Sequence, residues 1–423
     1  MITSVNFINE SKYKNYDIFH GIESNNISSV SSINKIGNRN LNELDKLANL
    51  NKMQISFSGY EKNEKKYLKH DLDNYSGCLA GIAIGDALGS PVKYESIDQI
   101  RETYGLKGIT DLVLDRGKAR ISEDTQLTMF TADGLIKSAL QQKNADDMPD
   151  LKYVYDAYLD WYLTQNEKFE PSKKGWISNI ENLYRKRGYR LACYKALGKG
   201  KAGTMYMPVN SSKDADGVMR TAPIGLKYYK TPAIAFRLGA DCAALTNGSP
   251  AAYLSAGLYS AIIANIIQGK DIRTAVDDSL KILKFYNNSE DIEKLVDTAK
   301  KLADSHLIPR TAIKKIGAGW NADEAIAIGI YSALKFPEDY SKAVITAVNH
   351  SGNSNTTGGI AGGLTGAYLG IKQIPYDWKK KTELVSEVNE ISQDLYSDIS
   401  DIQNLDKRYP LPDAKPIERG FFD

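Results

Sequence analysis

Two short oxygen-rich segments carry the side chains best suited to chemistry in this chain. One is Ser122-Glu123-Asp124-Thr125, ahead of the apolar run Leu127-Thr128-Met129-Phe130. The other is Asn353-Ser354-Asn355-Thr356, ahead of the small-residue run Gly358, Gly359, Ala361, Gly362, Gly363 and Gly366. Ser or Asp at a helix start is first of all a cap for unpaired backbone N–H groups. Together, two distant helix starts bearing hard oxygens are what a dinuclear Mg²⁺ cage at the end of a helical bundle requires. Aspartates at 353 and 355 would complete such a cage. Here both positions carry amides, which keep a carbonyl oxygen but lose the charge.

Further blocks accompany these two in a fixed order. They are Gly77-Cys78-Leu79-Ala80-Gly81 with Gly85-Asp86-Ala87-Leu88-Gly89; Gly217-Val218-Met219-Arg220 with Ala222-Pro223-Ile224-Gly225; Leu245-Thr246-Asn247-Gly248-Ser249-Pro250; Gly317-Ala318-Gly319-Trp320 with Glu324-Ala325; and Ala347-Val348-Asn349-His350-Ser351-Gly352. From about Tyr75 to about Gly370 the chain resembles the ADP-ribosylglycohydrolase family. The resemblance implies an all-α globule in which two Mg²⁺ ions orient ADP-ribose. It also implies hydrolysis of the bond between ribose C1″ and a side chain such as arginine. Carried over by position, it makes Ser122, Glu123, Asp124, Asn355 and Thr356 metal ligands, with Glu123 standing where the family has Asp. Asn353, Asp214, Asp216, Gly217, Val218 and Met219 are then expected to line the substrate.

Departures from the family pattern cluster at these positions. Lys93 stands where a glutamate is usual, with Glu95 two residues on. Asp214-Ala215-Asp216 replaces a glycine-rich phosphate-contacting turn. Asn247 and Ser249 replace histidines. Mg²⁺ binds weakly without carboxylates or phosphates, so at most one weakly held Mg²⁺ is expected. Asp214 and Asp216 would repel a diphosphate that bare backbone N–H groups would welcome. The expected function is to act on or recognise ADP-ribosylated protein side chains, with Mg²⁺-dependent hydrolysis impaired or altered. Any water activation falls to Glu95 or Asp124, with Lys93 in place of the family glutamate. The alternative is a non-catalytic binding, immunity or effector protein that engages an ADP-ribosyltransferase or its ADP-ribosylated target.

Other chemistries find less support. The four histidines (His20, His70, His306, His350) show no metal-ligand spacing, and no P-loop, dinucleotide fingerprint or nucleophile elbow occurs. With 54 basic and 52 acidic residues and a net charge of +2, no electrostatic case exists for nucleic acid. Cys78, Cys193 and Cys242 lie far apart without zinc or disulfide spacing, as expected in a reducing compartment. The most apolar stretch, Ala251 to Gly269, is interrupted by Tyr253, Ser255, Tyr259, Ser260 and Asn265, so it reads as a buried helix and no transmembrane segment is expected. A monomer is expected, cytoplasmic in a producing bacterium or exported by a specialised system, without a Sec signal peptide.

These residues need a scaffold, and helical periodicity supplies it from residue 72 onward. Helices are expected over 150–163, 233–245, 251–267, 275–286, 292–302 and 322–336, with 188–217 loop-like. Glycines at 358, 362 and 366 resemble a small-xxx-small packing face. The fold expected is a single all-α domain over 72–385. It is preceded by a polar, mostly disordered arm (1–71) and followed by a C-terminal extension (386–423); Trp378 and the stretch after it are expected to be peripheral. The arm is rich in Asn, Ser and Lys, with one short amphipathic helix at Leu41, Leu44, Leu47 and Leu50. It reads as an export address or as a docking segment anchored by Tyr13, Tyr16, Ile18 and Phe19.

Overall fold

The computed structural model describes residues 70–142, 148–171, 175–187, 192–402 and 404–411. The expectations for residues 1–69, arm, export address and leucine helix alike, lie outside the described residues. The chain runs through α1 (Leu72–Gly89), α2 (Ile97–Tyr104), α3 (Glu123–Leu140), α4 (Lys152–Thr164), α5 (Ala192–Leu197), α6 (Ala222–Lys227), α7 (Pro232–Ala244), α8 (Pro250–Ile267) and α9 (Ile272–Leu283). It continues through α10 (Glu290–Ala303), α11 (Pro309–Ile316), α12 (Ala322–Lys335), α13 (Tyr340–Val348), α14 (Ser354–Leu369), α15 (Tyr376–Lys381), α16 (Val385–Tyr396) and α17 (Leu405–Arg408). Among the described residues there is no strand, and β-type pairing is limited to the isolated bridges Asp115–Lys118, Ala119–Thr382 and Asp214–Asn321. The all-α expectation therefore holds, and the described residues belong to one compact unit.

The centre of the unit is the antiparallel pair α1 and α14. Gly77, Gly81, Gly85 and Gly89 recur every fourth residue, so they share one face of α1. They meet Gly366, Gly362, Gly358 and Ser354 in turn, and a Cβ added at any of the four would strike the partner's backbone. The contact runs backbone to backbone because neither helix places side chains there. Tyr340 Oη donates to Gly81 O at 2.8 Å and Asn74 Nδ2 to Ala367 O at 2.7 Å, closing the flanks of the seam. This register brings the last turn of α1, with Asp86, beside the first turn of α14, with Asn355.

The other helices wrap this pair. α3 is buried along most of its length and packs against α4 and α16. α16 also lies on α1, so helical packing continues past residue 385. α8 is long and apolar enough to cross a membrane by length and composition, but most of it is buried among α6, α7 and α9. Asn265 in its last turns donates to Ser279 Oγ at 3.0 Å. Two expectations need correction. Trp378 is not peripheral: it is buried, and its indole N–H bonds Asp111 Oδ1 at 2.8 Å. The stretch 188–217 is not all loop, since α5 forms within it.

Candidate active site

Three element ends converge on one buried cluster of oxygens. Ser122 caps α3, its Oγ accepting the Asp124 N–H at 3.1 Å, which turns Glu123 and Asp124 into the first turn. The positive ends of the α3 and α14 dipoles favour carboxylates there. From the last turn of α1, Asp86 Oδ2 accepts the Ser122 N–H at 2.7 Å and the Thr125 hydroxyl at 2.5 Å. From α14, Thr356 Oγ1 donates to Asp124 Oδ2 at 2.6 Å. Asn355 Nδ2 spans the cluster, lying 3.2 Å from Asp86 Oδ1, 3.0 Å from Ser122 Oγ and 3.5 Å from Asp124 Oδ2. Bonds to charged acceptors contribute about 1.5–3 kcal/mol each, so this amide ties three elements together.

Lys93 follows the short 3₁₀ turn Ser90–Val92 and reaches into the same cluster. Its ammonium lies 3.2 Å from Glu123 Oε1, with side chains only 13% and 4% exposed. Burial by itself would lower the Lys93 pKa, but the charges of Glu123 and Asp124 outweigh it and hold the ammonium protonated well above its ordinary range. Burial raises Glu123, and Lys93 offsets only part of that. Asp124 is lifted well above the usual carboxylate range, by burial first and then by the charge of Glu123. The next residue, Tyr94, has a left-handed backbone (φ 76°), a conformation that costs a non-glycine residue about 1–2 kcal/mol. Its ring stacks on Trp320, centroids 5.1 Å apart.

Three buried oxygens in or beside the cluster, Asp124 Oδ1, Asn353 Oδ1 and Asn355 Oδ1, have no hydrogen-bond partner among the described residues. Unpaired buried oxygens are costly, and a hard cation would satisfy them. For one Mg²⁺ the residues fit, with Asp124 as the carboxylate and Ser122, Asn353, Asn355 and Thr356 as neutral oxygens. For two ions they do not fit, because the carboxylate of Glu123 is already paired with the Lys93 ammonium.

The remaining expected site residues are placed less directly. Asp216 is buried, and its carboxylate is taken up internally by Asn247 Nδ2 at 2.5 Å and the Cys193 N–H at 3.1 Å. Burial raises its pKa, against the pull of Arg220. Asp214 is exposed on the turn that bridges to Asn321. Gly217 lies against Ala243 and Asn247, while Val218 and Met219 are fully buried, in the turn that packs between α3 and α14. Glu95 is half-buried and acts on Tyr104, whose hydroxyl is raised by burial and then by the Glu95 charge; no bond joins it to Lys93 or Asp124 among the described residues. Asp86 lacked an expected role, although the block Gly85-Asp86-Ala87-Leu88-Gly89 was its signal. The register of α1 on α14 makes it central.

The comparisons with known proteins decide the family. A family model described as ADP-ribosylglycohydrolase matches residues 68–404. The chain belongs to the ADP-ribosylglycohydrolase family. It is 24% identical to ADP-ribosylhydrolase ARH3 of Homo sapiens, with 77% of this chain and 93% of that protein aligned. It is 24% identical to an uncharacterized protein of Archaeoglobus fulgidus, covering 77% and 96% of the two chains. ADP-ribosylarginine hydrolase Tri1 of Pseudomonas putida is 21% identical, with 79% and 81% covered. A solved structure titled ADP-ribosylglycohydrolase-related protein complex superposes at a TM-score of 0.54 with 20% identity, covering 77% of this chain and 97% of that one. That likeness carries the fold. The family match spans the convergence of α1, α3 and α14, so the oxygen cluster lies within the family domain.

Proposed function

We propose that this family member recognises ADP-ribose attached to a protein side chain and that its Mg²⁺-dependent hydrolysis is impaired. The observation that carries the reading is the oxygen cluster itself, in which Asp124 Oδ1 is the unpaired carboxylate oxygen and Glu123 is committed to Lys93. A single Mg²⁺, held by Asp124 with Ser122, Asn353, Asn355 and Thr356, would supply Lewis-acid positioning of a ligand oxygen.

The chain's own groups define what else the site does. Asp124 Oδ2 is fixed by Thr356 and Asn355, which leaves Oδ1 to ligate the ion or, when no ion is bound, to hold or take a proton from a water. Burial and the charge of Glu123 raise the Asp124 pKa, which favours holding a proton there. The Lys93 ammonium presents a fixed positive charge to an anionic ligand. Asp214, exposed at the turn before Gly217, disfavours a diphosphate nearby and weakens ADP-ribose binding. Asp216 is buried and its carboxylate is engaged by internal hydrogen bonds, with the Arg220 charge offsetting it, so Asp214 is the residue expected to weaken affinity.

The test combines binding and turnover on the full chain. Calorimetric titration with ADP-ribose and Mg²⁺ should show weak binding. Incubation with an ADP-ribosylarginine protein and Mg²⁺ should release ADP-ribose slowly or not at all. Binding without release leaves recognition as the role, in line with a module that engages an ADP-ribosyltransferase or its modified target. No binding of ADP-ribose refutes the reading, and fast Mg²⁺-dependent release refutes the impairment.

A further inference from the structure

The surroundings of Lys93 form a built cation site. The ammonium faces the Glu123 carboxylate at 3.2 Å and the ring face of Tyr94, 5.6 Å from its centroid. A carboxylate on one side and a π-face on another are the two environments that attract an ammonium most strongly. The Tyr94 ring is held there at the cost of a left-handed backbone. Trp320 stacks against it, and the Tyr94 N–H bonds Gly352 O at 3.4 Å. Gly352 immediately precedes Asn353, so the loop carrying Lys93 is fastened to the loop that opens α14. Asp124, with its unpartnered Oδ1, marks a separate position in the same cluster.

We propose that the Lys93 ammonium is a tethered cation doing at Glu123 the work of a second divalent ion, so that Glu123 is not a ligand for any exchangeable metal. The inference deepens the single-ion reading above and rests on it. Its physical content is charge balance. Glu123, Asp124 and Asp86 bring three formal negative charges together, and one internal ammonium plus the amide N–H groups of Asn355 holds them. The loops 90–95 and 351–353 therefore stay fastened without metal, and one exchangeable position remains, at Asp124.

Counting bound Mn²⁺ by electron paramagnetic resonance on the full chain, without ADP-ribose, tests this. The wild type should bind no more than one Mn²⁺. Glu123→Gln should leave that number unchanged, because Glu123 ligates no exchangeable ion. Lys93→Gln should gain one Mn²⁺ at sub-millimolar concentration by freeing Glu123, and the double variant should return to the wild-type number. Two ions on the wild type, an ion lost in Glu123→Gln, or no gain in a folded Lys93→Gln would each overturn the proposal. If Lys93→Gln fails to fold, the wild-type and Glu123→Gln counts still decide. Because no nucleotide ligand is used, failure of the ADP-ribose reading leaves this count untouched, and failure of the count leaves ADP-ribose binding to be measured separately.

Discussion

Mild acid should unfasten the start of α14 through His350. This imidazole is buried, only 4% exposed, and its Nε2 lies 2.9 Å from Thr357 Oγ1. The Thr357 hydroxyl gives its own proton to a backbone carbonyl, Ala347 O at 2.8 Å, so the histidine is the donor and its Nδ1 is left without a partner. Burial lowers the His350 pKa from 6.5 to about 4, and the backbone at Ser351 and Ala347 offsets only part of that. The unfolded chain therefore takes up a proton before the folded one does. Stability from this residue is complete above 6.5 and is lost as pH falls toward 4. At about 1.36 kcal/mol per pH unit, the whole loss is about 3 kcal/mol, of which about 2 kcal/mol is felt by pH 5. Glu123 and Asp124 shift in the opposite sense, so the quantity to read is a difference between two proteins. Urea unfolding of the wild type and of His350→Gln should be compared at pH 8 and pH 5. The wild type should lose about 2 kcal/mol more than the variant on acidification. Parallel losses in the two proteins would refute the argument.

Three further outcomes are expected. Asn353→Asp with Asn355→Asp should tighten Mg²⁺ binding, since each change returns a hard anionic ligand; without metal the double variant should lose about 3–5 kcal/mol, because Asn355 no longer donates to Asp86 and new buried charge is uncompensated, and titration calorimetry with urea unfolding in Mg²⁺ or chelator reads both effects. Gly362→Val should destabilise by at least about 3 kcal/mol, the upper range for overpacking, because its side chain meets Gly81 backbone rather than a movable side chain; a urea midpoint within error of wild type would contradict the seam. Arg220→Met should cost about 3–5 kcal/mol: the buried guanidinium donates to Thr246 Oγ1 at 2.6 Å and Cys193 Sγ at 3.0 Å and lies over the Tyr158 ring, and its charge offsets buried Asp216, so the loss should appear as a lowered melting temperature.

What could be read from residues alone follows the range of the forces involved. Helices such as α10 and α12 were legible because burial of one face imposes a short period on the chain. The glycines of α14 were also legible as a packing face. Their partner was not, since nothing in the periodicity says that Gly362 meets Gly81. The oxygen-rich starts of α3 and α14 were recognisable as candidate ligands, and the structure brings Ser122, Asp124, Asn355 and Thr356 within bonding distance. The Lys93–Glu123 pair was hidden because it depends on how the loop after α1 folds back over α3. Proximity in sequence favoured Glu95 as a catalytic group, but among the described residues no bond joins it to Lys93 or Asp124, and its charge is felt at Tyr104. Asp216 reads as a charge facing ligand when seen beside Asp214. Alternate directions of the backbone across the turn send one outward and the other to Asn247. Trp378 shows the same limit, since its partner Asp111 lies on a loop without periodicity.

The glycine seam also restricts how this protein can move. A helix pair interlocked through side chains can slide or roll slightly as rotamers adjust, but α1 and α14 touch through carbonyls and Cα atoms, which have no rotamers. Their next permitted alignment is four residues away, about 6 Å along the axis at 1.5 Å per residue. The pair therefore behaves like an indexed ratchet with widely spaced teeth. Asn355 cannot drift gradually from Asp86: it is either in register or displaced by a full tooth. Ligand-driven adjustment in this molecule must come from the loops above the seam, at Lys93–Tyr94, Asp214 and Trp320, while the alignment of Asp86 with Asn355 stays fixed.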